Sequence, residues 1–565
     1  MKIPKLLVNL LLLGGILLLL NVLGSFVFGS VDLTEDGRFT LTESTEALLD
    51  TLPDVVYVQV LLEGDLDAKF ERLQRGAREM LADMNSASGG LVEFEFLDPG
   101  AGTPEEVNAR RMELAKDGIQ PARMRTIDQG GQAEEYIYPF ALFNYRGRRQ
   151  TVNLIETELG GLDENVINQS ITLLEYKFAS AIQRVASGDL PIVAFLEGHG
   201  ELADLERLEL TKELRNFYTV GTLKLDSLPA IPQRISTVIV AKPQTTFSER
   251  DKFKLDQYLM NGGKLMWLVD KLAVNTDSLA RTPRYTPREY ALGVDDLFFR
   301  SYGVRINSGL LEDLQNSQIQ LRVGTQSGRP QFDSFNWFYH LVVAPNSEHP
   351  IVRSLDNLNL KYVNSIDTTI RTKTPVQKTV LLASSNRSRE RFYPMQLSFE
   401  ILRYPPEVDK FNKQYIPIGV LLEGEFSSLY QNRVSQEMTE TLAQIQQPYR
   451  PTSVPGAAVL VVADGDIAKN PVGPDGATLP LGFNRYENYQ FANKDFLLNA
   501  LEYLQAGGGF LDARGKEIKL RLLDVGKATQ EKTKWQLLNV ALPLVVLGIF
   551  GFVFTAYRKR RWARG

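Results

Sequence analysis

Cysteine is absent from all 565 residues. Disulfides, thiolate metal sites and cysteine nucleophiles are excluded with it, a cysteine-dependent amidotransferase among them. Histidine is nearly as scarce, at three residues (His199, His340 and His349), too few for a histidine-rich metal centre. A phosphate-binding loop is missing as well. Its nearest approach is Gly515-Lys516, but Phe510 stands where the first glycine belongs and Glu517 replaces the Ser/Thr. Phosphates would meet a phenyl ring and a carboxylate. No G-x-S-x-G elbow occurs either.

Charge is absent from two long stretches, residues 6–31 and 537–557. Crossing ~30 Å of hydrocarbon takes about 20 helical residues, so each is long enough to span. For the first, the alternative is a cleaved signal peptide. Phe26, Val27 and Phe28 crowd the region before Ser30, where a peptidase needs small residues, and the apolar run exceeds an h-region. An uncleaved anchor is the reading. Trp535 and Tyr557 bracket the second stretch, and Arg558, Lys559, Arg560 and Arg561 follow it. Basic residues outside each span predict both termini in the cytoplasm and a large periplasmic body at a bacterial inner membrane. Pro543 is tolerable in such a helix where neighbours satisfy the freed carbonyl. Asn9, Asn21, Gly14, Gly15, Gly548 and Gly551 would permit close helix packing, although membrane helices are glycine-rich in any case.

What remains is an ordinary globular composition, 44% hydrophobic and 23% charged, enough for a sizeable core. The net charge is -5; Lys2, Lys5, Arg558, Lys559, Arg560, Arg561 and Arg564 hold seven positive charges, leaving -12 for the body. An acidic body is repelled by phosphate backbones, which argues against nucleic acid as a partner.

Periodicity predicts mixed α/β structure. After a short helix capped near Thr42 or Thr45, a strand at residues 55–62 precedes a helix over 67–85 with Phe70, Leu73, Ala77, Met80, Leu81 and Met84 at helical spacing. Val92, Phe94 and Phe96 alternate with Glu93 and Glu95 as in a half-buried strand. A helix over 104–116 and a hairpin, 136–145 with 150–155 turned at Arg146-Gly147, complete the order of a thioredoxin-like module without its redox pair. One helix, 163–185, would lead to the next unit. There, strands at 192–196, 237–241 and 264–269 alternate with helices, predicting right-handed crossovers and a largely parallel sheet. Ser248 and Asp251 form a capping-box pattern, and Gly262-Gly263 stops that helix. Residues 275–288 read as a loop and 291–302 as a helix. Further strands are expected at 376–383, 416–422 and 458–463, with a helix at 496–504.

Two features carry candidate chemistry. Glu197-Gly198-His199-Gly200-Glu201 lies at a strand's carboxyl end, opening a helix, where open α/β sheets bind ligands. A histidine between carboxylates would hold a metal or shuttle protons; alternatively the glycines make a tight turn, Glu201 complements the helix N-terminus and His199 bonds locally. Asp464-Gly465-Asp466 also follows a strand and offers a cation two carboxylates. It lacks the other ligands of an EF-hand, and a turn explains it equally well. Glu197, His199, Glu201, Asp464 and Asp466 are therefore weak ligand-binding candidates, with no catalytic residue, metal site or cofactor assigned.

Several stretches, taken in order, cover nearly the whole chain and resemble the auxiliary proteins of ABC transporters, the gliding-motility type in particular. They are VDLTEDGRFTLTESTEALLDTL, FLEGHGE, IVAKPQTTFSERDKFKLDQYLMNGGKLMWLVD, YGVRINSGLLEDL, ADGDIAKN, ANKDFLLNALEYL and NVALPLVVLGIFGFVFTAYRKRRWARG. The sheet around Asn261-Gly262-Gly263 also resembles amidotransferase-like domains found as non-catalytic modules in ciliary transport proteins. The resemblance implies a complex with a multi-span ABC permease and a cytoplasmic ATPase, and carries over no catalytic residues. The expected organisation is an anchor (1–31), a thioredoxin-like module (32–188), an amidotransferase-like, Rossmann-like parallel-sheet domain with insertions (189–510), a juxtamembrane segment (511–536), a transmembrane helix (537–557) and a basic tail (558–565). The expected function is that of a non-catalytic extracytoplasmic component that binds a substrate or partner, or transmits ATP-driven motion. The alternative is an envelope enzyme or carbohydrate-binding module using the crevice near His199.

Overall fold

A computed structural model describes residues 40–562 apart from 117–118, 120, 129–130, 156–163, 188–189, 277–278, 280–283, 327, 346, 354, 445–446, 474–475, 507–510 and 515–524. The expected anchor at 1–31 and Gly515-Lys516 lie outside the described residues, as does the end of the basic tail. The chain divides into two units, Met1–Glu517 and Ile518–Gly565.

The first unit begins with α1 (Glu43–Asp50), β1 (Val56–Val60), α2 (Ala68–Ala87), β2 (Val92–Phe96) and α3 (Pro104–Lys116). Asp67 caps α2 by accepting from the backbone N–H of Lys69 and Phe70, and Phe70, Leu73, Ala77, Leu81 and Met84 form its buried face. Two hairpins follow, β3 (Ala122–Asp128) with β4 (Gly131–Ile137), and β5 (Phe140–Tyr145) with β6 (Arg148–Asn153). The single strand expected over 136–145 is thus two. Pro139 falls between them and has no N–H to donate to a ladder. The turn at Arg146-Gly147 is as expected, with φ of 46° and 80°, the pair of positive values that a two-residue type I′ hairpin loop demands. The sheet order is β2-β1-β5-β6, with β1 and β2 parallel and the hairpin antiparallel. The helix expected over 163–185 is also two, α4 (Glu164–Thr172) and α5 (Leu174–Ser187). The helical pattern breaks at Leu173, yet Ile167, Leu174, Phe178 and Val185 are still buried together.

The central sheet comprises β7 (Ile192–Glu197), β8 (Thr219–Lys224), β9 (Ile235–Ala241) and β10 (Lys264–Leu268), linked by α6 (Leu208–Arg215) and α7 (Glu249–Met260). Between residues 303 and 375, for which the sequence reading names no element, lie β11 (Gly309–Asp313), β12 (Asn316–Gln326), β13 (Arg329–Val343) and β14 (Leu358–Lys361). β12 and β13 make a long hairpin whose tip is exposed; Ile319 and Leu321, alternating with the polar Gln318, Gln320 and Arg322, turn toward the core at its base. Then come β15 (Val376–Ala383), β16 (Ser388–Phe392), β17 (Pro417–Gly424), β18 (Ala458–Val462) and α8 (Asn493–Ala506). The expected helix over 291–302 is shortened to Asp295–Tyr302, its last turn is π-helical, and Gly303 ends it at φ 73°.

The seven-stranded order is β15-β17-β18-β10-β9-β7-β8. β18, β10, β9, β7 and β8 are mutually parallel; β17 and β15 add antiparallel at one edge. Alternate residues of the central strands serve two cores. Phe195, Ile239, Met266 and Leu460 face α6 and α8, whereas Leu196, Val240, Trp267 and Val461 face α7. Burial on both faces is why these strands read as continuous apolar runs. From β7 the chain steps one way to β8 and then back past β7 to β9 and β10. That reversal opens a crevice at the carboxyl ends of β7 and β9.

The second unit contains one continuous helix, α9 (Val525–Trp562). Its stretch Lys534–Arg560 is long and apolar enough to cross a membrane.

Candidate functional site

Every candidate from the sequence lands at the carboxyl edge of the parallel sheet, because each follows a central strand. They form separate clusters. His199 sits just past β7, held between Gly198 at φ 123° and Gly200 at φ 76°. Its carbonyl accepts from the backbone N–H of Gln244 and Thr245 at 2.8 and 2.9 Å, tying the turn after β7 to the turn after β9. A Cβ on Gly200 would stand 3.2 Å from that of Gln244. The glycines are explained by this close approach.

The His199 ring is buried and stacks on Phe247, centroids 3.8 Å apart and planes 5° from parallel. Nδ1 lies 3.2 Å from Glu201 Oε1, and Nε2 lies 3.4 Å from Asp251 Oδ2. Burial opposes protonation, but the two carboxylates outweigh it and raise the His199 pKa above its ordinary value. As imidazolium it donates from both nitrogens, leaving neither lone pair for a metal or a substrate proton. Glu201 Oε2 accepts the backbone N–H of His199 at 2.7 Å. The expectation that the turn opens a helix is corrected: α6 starts only at Leu208, and Glu201 is spent on His199 rather than on a helix N-terminus. Asp251 has a double role. It completes the capping box of α7 with Ser248 while receiving the far side of the ring, so the histidine staples the β7 turn to that helix.

Glu197, at the end of β7, does not join this group. It binds the buried Arg207 at 2.7 Å, and Arg207 also pairs with Asp204 and lies over the Phe195 ring. Asp464 and Asp466 belong to a third cluster, beyond β18. Lys242, directly after β9 with φ 56°, extends Nζ to Asp466 Oδ1 at 2.6 Å and to Asp270 Oδ2 at 2.9 Å. Asp270 follows β10 and accepts the N–H of Gly465. One cation thus clasps three strand ends. Burial and its two paired anions have opposite effects on Lys242; the anions win and hold its pKa above the ordinary lysine value. Asp464 makes no ion pair among the described residues. Burial, together with the charges of Asp270 and Asp466, pushes its carboxyl well above the usual range. Its oxygens accept the N–H of Lys361 and of Asp466 at 2.9 and 2.8 Å. Among the described residues no group of three or more His, Asp or Glu side chains is placed to hold a metal.

A sequence model for a family described as "ABC-type uncharacterized transport system" (ABC_transp_aux) matches residues 190–500, more than half of the chain and nearly the whole central-sheet domain. The chain belongs to that family. Its members are auxiliary components of ABC-type transport systems. A second model, for a domain of unknown function (DUF7088), matches residues 35–144. No curated protein matches. A solved structure described as "mmIFT52 N-terminal domain" is similar at 13% identity and a TM-score of 0.30, covering 56% of this chain and 98% of its own.

In this ABC-transporter auxiliary chain, the partners that explain the candidates were not apparent from sequence. Arg207 lies 10 positions beyond Glu197, whereas Lys242 and Asp270 lie 224 and 196 positions before Asp466, and only the parallel strand order brings those two to it. One signal was available: Lys242 and Asp270 each stand one or two residues past an apolar strand, where a crevice collects side chains. Asp251 was legible as a cap, though not as a partner for His199.

Proposed function

We propose that this chain is the non-catalytic, extracytoplasmic component of an ABC-type membrane complex of the gliding-motility kind. The carrying observation is the family match across the central-sheet domain, in a chain that also has a helix fit to span a bilayer. With residues 6–31 as a second span and basic residues outside both, the termini are cytoplasmic and the body periplasmic. The spans would pack against a multi-span permease, and the body would bind a substrate or partner, or relay motion driven by the cytoplasmic ATPase. A relay requires two states whose populations the nucleotide biases through the helices. Residues 32–188 serve as a thioredoxin-like scaffold and 189–510 as an amidotransferase-like domain whose EGHGE turn is a structural clasp. Against an envelope enzyme working through His199 stands the engagement of both its ring nitrogens by carboxylates.

Gentle solubilisation followed by identification of copurifying proteins tests this. Recovery of a permease and an ATPase supports the proposal; a chain that purifies without either overturns it. Protease added to cells with an opened outer layer should cleave within residues 32–530, and protection of that region would refute the topology.

A further inference from the structure

A cavity of about 530 Å³ opens beside Lys242 and Asp466 at the carboxyl edge of the sheet. Part of its wall is the β13–β14 ladder, in which His340 pairs directly opposite Lys361 and Asn359 stands two residues before Lys361 on the same face. Three polar groups on this wall lack what buried polar groups normally have. Among the described residues, His340 Nε2 and Asn359 Oδ1 are buried without a hydrogen-bond partner, in residues each only 6% exposed. The Lys361 amine makes no ion pair among the described residues; burial pulls its pKa below the ordinary lysine value, and the charges of Asp466 and Asp464 nearby only partly oppose that. At the rim, Arg485 donates to the Val472 carbonyl and the Tyr486 hydroxyl and meets no carboxylate among the described residues.

The charge of this lining runs against that of the chain. Lys242, Lys361, Lys469 and Arg485 border the cavity, with Asp466 as the opposing carboxylate, in a protein of net charge -5. Lys242 and Lys469 are neutralised by Asp270, Asp466 and Glu206. Lys361 and Arg485 are left to attract an anion from outside. Packing alone has no use for an unpaired amine beside two unpaired buried acceptors and donors, since each costs free energy until something binds it.

We propose that this cavity binds a small polar anion, a carboxylate or phosphate group on a hydroxyl-bearing molecule. Lys361 is the counter-ion, His340 Nε2 a neutral hydrogen-bonding contact, and Asn359 Oδ1 the acceptor for a ligand hydroxyl. The site is distinct from the His199 clasp and independent of which transporter the chain serves.

Calorimetric titration of the full chain in detergent with inorganic phosphate, glucuronate and glucose tests it. Phosphate, glucuronate or both should bind saturably at one site per chain, and glucose should not. Saturation by one anion alone identifies the group recognised. Lys361→Gln should weaken that binding about tenfold or more, the loss of one charge-assisted hydrogen bond, and Lys361→Arg should recover part of it. In wild-type protein with labelled histidine, the anion should shift the His340 ring resonance and leave that of His349 in place, a readout needing no variant to fold. Saturation by neither anion, equal binding of glucose, unchanged affinity in Lys361→Gln or an unmoved His340 signal would each overturn the proposal.

Discussion

Replacing His199 with alanine removes one side chain from the best-connected point of the crevice, and the cost follows from what is left behind. Glu201 and Asp251 have side chains only 2% and 6% exposed, and both lose their cationic partner. Breaking a buried pair by deleting one member costs about 3–5 kcal/mol, most of it from the stranded charge. The stack on Phe247 goes too, and Phe247 in turn lies 5.6 Å from Trp267, a buried fluorophore that reports on the site. Equilibrium denaturation of the full chain in detergent, followed by tryptophan fluorescence, measures the loss. The pH dependence has a definite sign. A histidine whose folded-state pKa is raised contributes stability that is complete below its unfolded value, near 6.5, and disappears as pH rises through the higher folded value. Wild-type protein should therefore lose stability above about pH 6.5, and His199→Ala should lack that step. His199→Gln, a neutral donor, should fall between the two and be flat across the same window. A cost under about 1 kcal/mol for His199→Ala, or a wild type that gains stability as pH rises there, would refute the structural reading of the EGHGE turn.

Lys242→Ala should destabilise by a comparable ~3–5 kcal/mol, because Asp270 and Asp466 both lose their cation; a neutral result in denaturant unfolding would show that the three strand ends do not depend on it. Asp256 on α7 is buried beneath Ser428 and the Leu429 N–H, and burial pushes its carboxyl up to about 6. It binds its proton more tightly when folded, so its contribution falls as pH rises from about 4 to about 6, by ~3 kcal/mol at most. Asp256→Asn should remove that decline from a pH series of unfolding midpoints. Gly263→Ala would drive a methyl into the Tyr258 ring, whose hydroxyl is anchored to the Ile235 carbonyl. A cost of about 1–3 kcal/mol is expected from such overpacking, and an unchanged melting temperature would contradict it.

Local chemistry was legible wherever a short window carries the whole cause. The capping box at Ser248 and Asp251, the Arg146-Gly147 turn and the apolar central strands stand where their residues predict. Reading failed where neighbours in space decide. The β12–β13 hairpin is a different case, since Ile319, Leu321 and Val323 alternate with Gln320 and Arg322 and a local signal for it existed, although its tip is exposed. The pattern over 136–145 hid a break at Pro139, and that over 163–185 hid one at Leu173. All five candidate residues fell at one sheet edge, but they were split among three clusters by partners far away in the chain.

Composition and pattern alone determined that no thiol chemistry occurs, that the body is acidic, that residues 537–557 suit hydrocarbon, and that strands and helices alternate, since each depends only on residue type and near spacing. The tertiary structure alone decided that His199 is held from both sides and that Lys242 clasps Asp270 and Asp466. It also set Lys361, His340 and Asn359 together on a cavity wall, with no ion pair on the Lys361 amine and no hydrogen bond on His340 Nε2 among the described residues. Those meetings are created by strand order and cross-strand register, and a parallel sheet brings together residues that no local window contains.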